Sequence, residues 1–319
     1  MKQILKLSAW LLLFSWQLAH AQGEFSAWLQ ELQVEAREAG ISEITAKNAI
    51  EKIELLPEVI MLDKSQPEFV SPFLEYYKRR VDAQKVQKGQ QLLAEHAALL
   101  DRIEAQYGVS KYMLVAFWGM ETQYGRSLGK LDVLSSLATL AYDGRRGEFF
   151  RAQLLDAMRM IDYGHASAES FAGSWAGAFG NMQFMPTTFM LYAVDGDNDN
   201  KIDVVNSLAD AFASAANYLS SIGWREQQPV MLEVQLPENF EWQTAQFNFR
   251  RSIQDWAQSG VRMLQQDYVV PRLQQLVLSK RTAKKSAKQS AKQYQKAQFI
   301  EPAPAVKTVG LNTAGLEMN

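Results

Sequence analysis

From Glu24 to about Arg126 apolar residues recur at three- and four-residue spacing, the period of packed helices. Phe25, Trp28, Leu29 and Leu32 form one such stripe. Gly40-Ile41-Ser42 and Tyr107-Gly108-Val109-Ser110 read as a helix stop followed by a start, with Ser42 and Ser110 as N-caps. A further helix opens at Arg145-Arg146-Gly147-Glu148 and carries Phe149, Phe150, Leu154, Leu155 and Met158. After a Gly-rich turn from Gly173 to Gly180, helical segments are expected around Thr187 to Tyr192 and from Ser207 to Ile222, the latter ended by Gly223. The pattern then changes. Val230 to Leu236 alternates and stops at Pro237, which predicts a strand, with Phe240, Trp242 and Phe247 on a partner strand or loop. A short helix is predicted around Ile253 to Ala257. The chain therefore reads as mainly α (α+β), with a small β element.

The two ends depart from this pattern. Lys2 and Lys6, the apolar run Leu7 to Leu18, and Ala19-His20-Ala21 form a secretory signal peptide over 1–21. Gln22 rather than Cys follows the expected cut, so no lipid anchor is expected. No later stretch reaches the ~18 apolar residues of a membrane helix. A soluble, periplasmic protein is the simplest reading, with about 240 residues forming one large domain or two closely packed ones. From Leu278 the chain turns Lys/Ala/Ser/Gln-rich, and a basic tail over 261–319 follows a main folded region over 22–260. That tail reads as a solvated helix or disordered segment, or else as an electrostatic attachment to an anionic envelope polymer.

Composition removes several chemistries. There is no Cys, so thiol nucleophiles, disulfides and thiolate metal sites are excluded. Only three His are present, one of them in the signal segment, too few for a His-rich metal centre. The formal charge of −2 becomes −4 when Lys2 and Lys6 leave, so nucleic acid is not the expected partner.

One window carries chemistry. In Phe117-Trp-Gly-Met-Glu-Thr-Gln-Tyr-Gly-Arg126 a single acid, Glu121, ends the apolar run Tyr112 to Met120. A carboxyl placed among apolar residues must pair, protonate or do chemistry. A raised pKa is what a general acid needs near neutral pH. Pairing with an Arg such as Arg126 is the bland alternative. Gly173-Ser-Trp-Ala-Gly-Ala-Phe-Gly180 and Gln183-Phe-Met-Pro186 add a turn that lets a ligand approach the backbone, and polar groups beside aromatic surface. That combination suits a sugar.

These windows, with Leu137-Ala-Thr-Leu-Ala-Tyr-Asp-Gly-Arg-Arg146 and Asp195 to Trp224, resemble the membrane-bound lytic transglycosylase B family over about Phe25 to Gln258. The resemblance implies a lysozyme-like catalytic core with an additional helical region. It also implies cleavage of peptidoglycan between N-acetylmuramic acid and N-acetylglucosamine, leaving a 1,6-anhydromuramoyl end. Glu121 would be the catalytic acid, and glycan strands of peptidoglycan the partner of a monomeric enzyme. Ser174, Gln183, Tyr218 and Tyr76 match residues that line the family's glycan cleft, with simple core packing as the alternative for Tyr218 and Tyr76. A non-catalytic peptidoglycan-binding protein and a lysozyme-type hydrolase are the competing readings. The Tyr-Asn-x-Ser segment with which that family commonly ends is not found after Gly260, and Asn181 stands where the family usually has Gln.

Two smaller patterns remain. Asp195, Asp197, Asp199, Lys201 (through its carbonyl) and Asp203 fall at ligand positions of an EF-hand-like loop, with Asp210 as a late acid. This is either a structural Ca²⁺ site or an acidic surface turn; no cofactor is expected for the chemistry itself. Gly125-Arg126-Ser127-Leu128-Gly129 with Asp162 and His165 imitates a serine-hydrolase triad. The helix expected before Ser127 is the wrong context for a nucleophile elbow.

Overall fold

The computed structural model describes residues 23–65, 72–226, 228, 230–245 and 250–264. The signal segment, Phe247 and the tail beyond 264 lie outside the described residues. Packing divides the chain after Trp224 into two compact units, close to where the sequence changes character.

In the first unit, α1 spans 23–38. It is followed by α2 (Glu43–Lys52), α3 (Pro57–Lys64), α4 (Phe73–Arg80), α5 (Ala83–Glu95), α6 (Ala97–Tyr107) and α7 (Lys111–Thr122). Strand β1 (Leu131–Asp132) leads into α8 (Val133–Asp143) and α9 (Gly147–Asp162). Strand β2 (Ala172–Gly173), α10 (Pro186–Tyr192) and α11 (Leu208–Ser221) complete the unit. Helix α8 is buried from Val133 to Ala141, its Ser135 and Thr139 hydroxyls accepting from Glu54 N at 3.1 Å and Leu56 N at 2.9 Å, and packs on α3 and α9. Helix α11 packs on α6 and α7, and α5 lies on α7. The stripe of α1 buries Phe25 and Leu32, with Phe25 and Trp28 against the Tyr142 ring. Ser42 caps α2 by accepting from Thr45 N at 3.3 Å, whereas Ser110 occupies the N-cap of α7 without a side-chain cap bond. Gly108 closes α6 at φ 67°.

One buried charge ties these helices. Asp63, at the end of α3, accepts from Arg145 Nε at 2.6 Å and Arg146 Nη2 at 2.7 Å, both in the turn before α9. Burial pushes its carboxyl upward, but the two guanidinium bonds and charges outweigh that and hold it below its ordinary value. Asp63→Ala is expected to cost about 3 kcal/mol, the lower end for a broken buried pair, because both arginines still reach water. Urea unfolding measures it; a loss under about 1 kcal/mol would mean the pair is merely tolerated.

In the second unit β3 (Val234–Gln235) pairs antiparallel with β4 (Arg262–Met263), and α12 (Ile253–Gln258) begins with a capping box of Ser252 and Asp255. The strand expected over 230–236 is thus only two residues long. Val230, Met231, Leu232 and Val234 are all exposed, so the alternation has no core face to hold it in an extended ladder. Trp242 lies in a 3₁₀ turn instead of a partner strand.

Candidate active site

Helix α7 buries Leu114, Val115, Trp118 and Gly119, and Glu121 sits in its last turn. Glu121 reaches a cavity of about 460 Å³, yet its Oε2 is shielded and has no hydrogen-bond partner. Burial pushes the Glu121 carboxyl up to about 8, against the opposing charge of Arg80. At neutral pH the group holds its proton. The pairing with Arg126 is not found: Arg126 Nε donates to the carbonyl of Gln123 at 3.3 Å. Among the described residues no other carboxylate lines the cavity.

Past Glu121 the backbone stays left-handed for three residues, Gln123 (φ 51°), Tyr124 (φ 62°) and Gly125 (φ 79°). Consecutive non-Gly residues there cost energy and need outside support. Tyr124 supplies it. Its ring lies where a Cβ on Gly119 would sit, its hydroxyl where one on Gly89 would, and that hydroxyl donates to Lys85 O at 2.8 Å. A glycine inside each of two otherwise ordinary helices was the sequence signal for this close approach.

A second support is Asn181, which is buried. Its Oδ1 accepts from Trp118 Nε1 at 2.9 Å, and its Nδ2 donates to Val205 O at 2.7 Å and Val204 O at 3.3 Å. Its carbonyl accepts from Thr122 Oγ1 at 2.9 Å. Trp118 and Thr122 flank Glu121 on α7, so Asn181 joins the end of that helix to the exit of the acidic loop.

Of the residues expected to line a glycan cleft, Ser174, Gln183 and Tyr76 share the cavity with Glu121. Ser174 Oγ accepts from Ala178 N at 3.1 Å and closes its own turn. Gln183 is in the left-handed region at φ 50°. Its Nε2 donates to Gly180 O at 3.1 Å and Leu128 O at 3.3 Å, which leaves Oε1 for a ligand. Tyr218 does not line this cavity. It is 5% exposed on α11, with its ring edge-on to Tyr192 at 5.2 Å, because the apolar face of α11 turns it into the core. The glycines of the 173–180 turn also act differently than expected. Added Cβ atoms on Gly173, Gly177 and Gly180 would meet Ala178 O, Leu137 and Val204, so the close approach is of protein to protein, not of a ligand.

In the acidic loop the carboxylates of Asp195, Asp197 and Asp210 gather, with ligand atoms within 4.8 Å of one another. The carboxylates of Asp199 and Asp203 are not in that group. Asp199 Oδ1 accepts from Lys201 N at 2.8 Å, and Asp203 Oδ1 accepts from Val205 N at 3.0 Å and Asn206 N at 2.8 Å, so these carboxylates hold the turn itself. Asn200 takes the left-handed conformation (φ 69°) that its position requires. Asp210 is buried and accepts from Gly196 N and Asp203 N, each at 2.7 Å. Burial pushes its carboxyl up, the two backbone bonds oppose this, and the nearby Asp197 and Asp195 charges raise it further. Clustered hard oxygens beside a carboxyl whose charge is disfavoured fit a calcium ion.

The triad imitation dissolves. Ser127 lines the cavity, but Asp162 accepts from the Ser42 and Thr45 hydroxyls and His165 packs edge-on to Phe189.

Residues 24–300 match the family model described as the transglycosylase SLT domain. Membrane-bound lytic murein transglycosylase B of Escherichia coli (strain K12) is 35% identical over 168 residues, 52% of this chain and 46% of that protein. SltB3 from Pseudomonas aeruginosa, solved in complex with NAG-NAM-pentapeptide, is 43% identical with a TM-score of 0.69, over 74% of this chain and 63% of that one. The Escherichia coli lytic transglycosylase Slt35, solved in complex with calcium, is 28% identical with a TM-score of 0.66, over 75% of this chain and 76% of that one. The chain thus spans about half the length of the first relative and under two thirds of the second.

Proposed function

The chain belongs to the transglycosylase SLT domain family, and from that membership we propose that it is a lytic transglycosylase. Its substrate is the peptidoglycan bond between N-acetylmuramic acid and N-acetylglucosamine, and its product a 1,6-anhydromuramoyl end. The observation that carries this reading is Glu121: a protonated carboxyl with a shielded oxygen and, among the described residues, the one carboxyl on its cavity. The complex of the related SltB3 with NAG-NAM-pentapeptide supports the substrate class.

One carboxyl suffices for such a reaction. Ordinary glycosidases need two, the second to act as nucleophile or to activate water. Here Glu121 gives its proton to the bridging oxygen as the bond from C1 of the muramic acid breaks. The C6 hydroxyl of the same sugar forms the new bond to C1 and returns its proton to the Glu121 carboxylate. No water is consumed and the acid is regenerated. The tethered hydroxyl carries the effective-molarity advantage of an intramolecular nucleophile. Ser174, Gln183 and Tyr76 bind the sugar around this group.

Because the acid must be protonated, kcat/KM should fall as pH rises through about 8, where Glu121 ionises. A pH–rate profile on soluble glycan checks this; an alkaline limb near pH 5 would mean that the Glu121 carboxyl is not raised by its burial.

Asp195, Asp197 and Asp210 would hold a calcium ion that neutralises them and fixes the loop leading to Val204 and Val205; it takes no part in bond breaking. Binding to the folded state alone should raise Tm, by the equivalent of about 2.7 kcal/mol at a hundredfold excess over Kd. A thermal melt with millimolar calcium against chelator decides, and equal melting points would leave the loop a plain turn. The protein is exported to the periplasm in this reading; among the described residues no helix is long and apolar enough to cross a membrane.

A further inference from the structure

The cavity that holds Glu121 has a strongly cationic wall. Arg79 and Arg80 close α4, Lys85 lies in the first turn of α5, and all three line the cavity. Between the helices only Val81 and Asp82 intervene, so the joint is tight. Lys85 Nζ donates to the backbone carbonyl of Arg80 at 2.6 Å, which fixes the ammonium against the end of α4. The Arg80 guanidinium stands 5.3 Å from the Tyr76 ring centroid, so an aromatic face backs it. Among the described residues, neither Arg80 nor Lys85 forms an ion pair, and Glu121 is the one carboxyl on the wall. Partial burial pushes the Lys85 ammonium down, and the Arg80 charge pushes it further. The Asp82 charge acts on Lys85 in the opposite sense, but Asp82 caps α5 by accepting from Lys85 N at 2.7 Å and does not line the cavity, so among the described residues the two cations meet no anion on the wall besides the Glu121 carboxyl.

A neutral sugar gives such a wall little to bind. Hydroxyls and N-acetyl groups are met by Ser174, Gln183 and Tyr76, none of which needs a neighbouring cation. We propose that Arg80 and Lys85, flanked by Arg79, form a subsite for a carboxylate carried by the saccharide chain, placing a muramic-type ring rather than a neutral N-acetylhexosamine beside Glu121. This rests on the function proposed above and deepens it. The guanidinium offers a planar fork for a carboxylate and the ammonium a point charge beside it. Two sources carry that chemistry: the lactyl carboxylate of a peptide-free muramic acid, and the acidic residues of a peptide attached to it. A cation pair that selects the muramic ring would set which of the two alternating bonds meets the acid.

The test is binding, measured by calorimetry in a Glu121→Gln background so that turnover does not enter. Three soluble probes are compared: a neutral chitooligosaccharide, a peptide-free glycan fragment with free lactyl carboxylates, and the same fragment bearing peptides. Carboxylate-bearing fragments should bind more tightly than the chitooligosaccharide, and this preference should weaken with salt. Arg80→Gln and Lys85→Gln should each cut the preference by about ten- to a hundredfold, the loss of one charge-assisted hydrogen bond. Lys85→Arg and Arg80→Lys, which keep the charge, should restore most of it. A loss confined to the peptide-bearing fragment assigns the subsite to the peptide; a loss on both fragments assigns it to the lactyl group. Equal affinity for all three probes, or an equal loss on all three in the Gln variants, would overturn the subsite. Failure of the proposed function is separate: it shows as absence of cleavage by the unmodified protein, whatever the binding preference.

Discussion

Glu121→Gln abolishes cleavage, by about a thousandfold or more, while glycan binding persists. General acid catalysis alone is worth roughly 10²–10⁴ in rate. Here the same group must act twice, as acid and then as base, and among the described residues no second carboxylate stands on the cavity to substitute. The amide has nearly the same shape and cannot give up a proton. The variant also bears on stability, with a definite sign. A carboxyl raised from 4.5 to about 8 by burial is ionised in the unfolded chain but protonated in the fold over that interval. The unmodified protein therefore loses stability as pH rises from 4.5 to about 8, and the variant does not. The Tm difference between them should widen in favour of the variant across that window. Cleavage retained by Glu121→Gln would remove the residue from the mechanism. A Tm difference independent of pH would mean its pKa is ordinary.

Asn181→Ala is expected to be the most damaging substitution outside the acid itself, although Asn181 is not on the cavity. It strips the amide partner from the indole N–H of Trp118 and from the carbonyl of Val205, while the Val204 carbonyl keeps the Asn181 backbone N–H at 3.0 Å. Trp118 is 4% exposed, so water cannot replace the amide there. A buried polar group left unpaired costs about 1–3 kcal/mol, which places the total near 3–5 kcal/mol. For a unit of this size that is a fall in Tm of roughly 6–20 °C. Activity should drop beyond what the folded fraction explains, because Trp118 and Thr122 hold the turn of α7 that presents Glu121. Chemical unfolding and kcat measured well below Tm separate the two effects. A variant within about 1 kcal/mol of the unmodified protein would show that the amide bonds carry little.

The contrast between these two residues shows what was legible in the sequence. Glu121 stood out because an acid at the end of an apolar helical run is a local conflict, visible without knowing what lies across from it. Helix α9 was equally legible, since Phe150, Leu154 and Met158 recur at four-residue spacing and all three are buried. The mainly α, lysozyme-like fold and the resemblance to lytic transglycosylases follow from such windows, and the family match and the solved relatives bear them out. Asn181 was visible only as a departure from a family habit. Its partners lie 63, 23 and 24 residues away in the chain, and no periodicity encodes a hydrogen bond across that distance. The same limit explains Arg80, which opposes the Glu121 carboxyl from another helix while the nearer Arg126 turns to its own backbone. Tyr218 fell on the right window but on the buried face of its helix. In the acidic loop the spacing put carboxylates in sequence order but could not say which would converge: Asp195, Asp197 and Asp210 do, while Asp199 and Asp203 stay outside that cluster. The strand over 230–236 failed for a related reason, because alternation fixes a strand only where one face meets a core.

The central claim is that a single carboxyl turns a sugar's own hydroxyl against its glycosidic bond. Mass spectrometry of the soluble products released from peptidoglycan sacculi by the purified mature protein tests it most directly. Muropeptides ending in 1,6-anhydromuramic acid are expected, absent when Glu121→Gln protein is used. Products with reducing muramic ends, heavier by one water, would contradict it and make the enzyme a hydrolase; no products, with the protein sedimenting on the sacculi, would make it a binder.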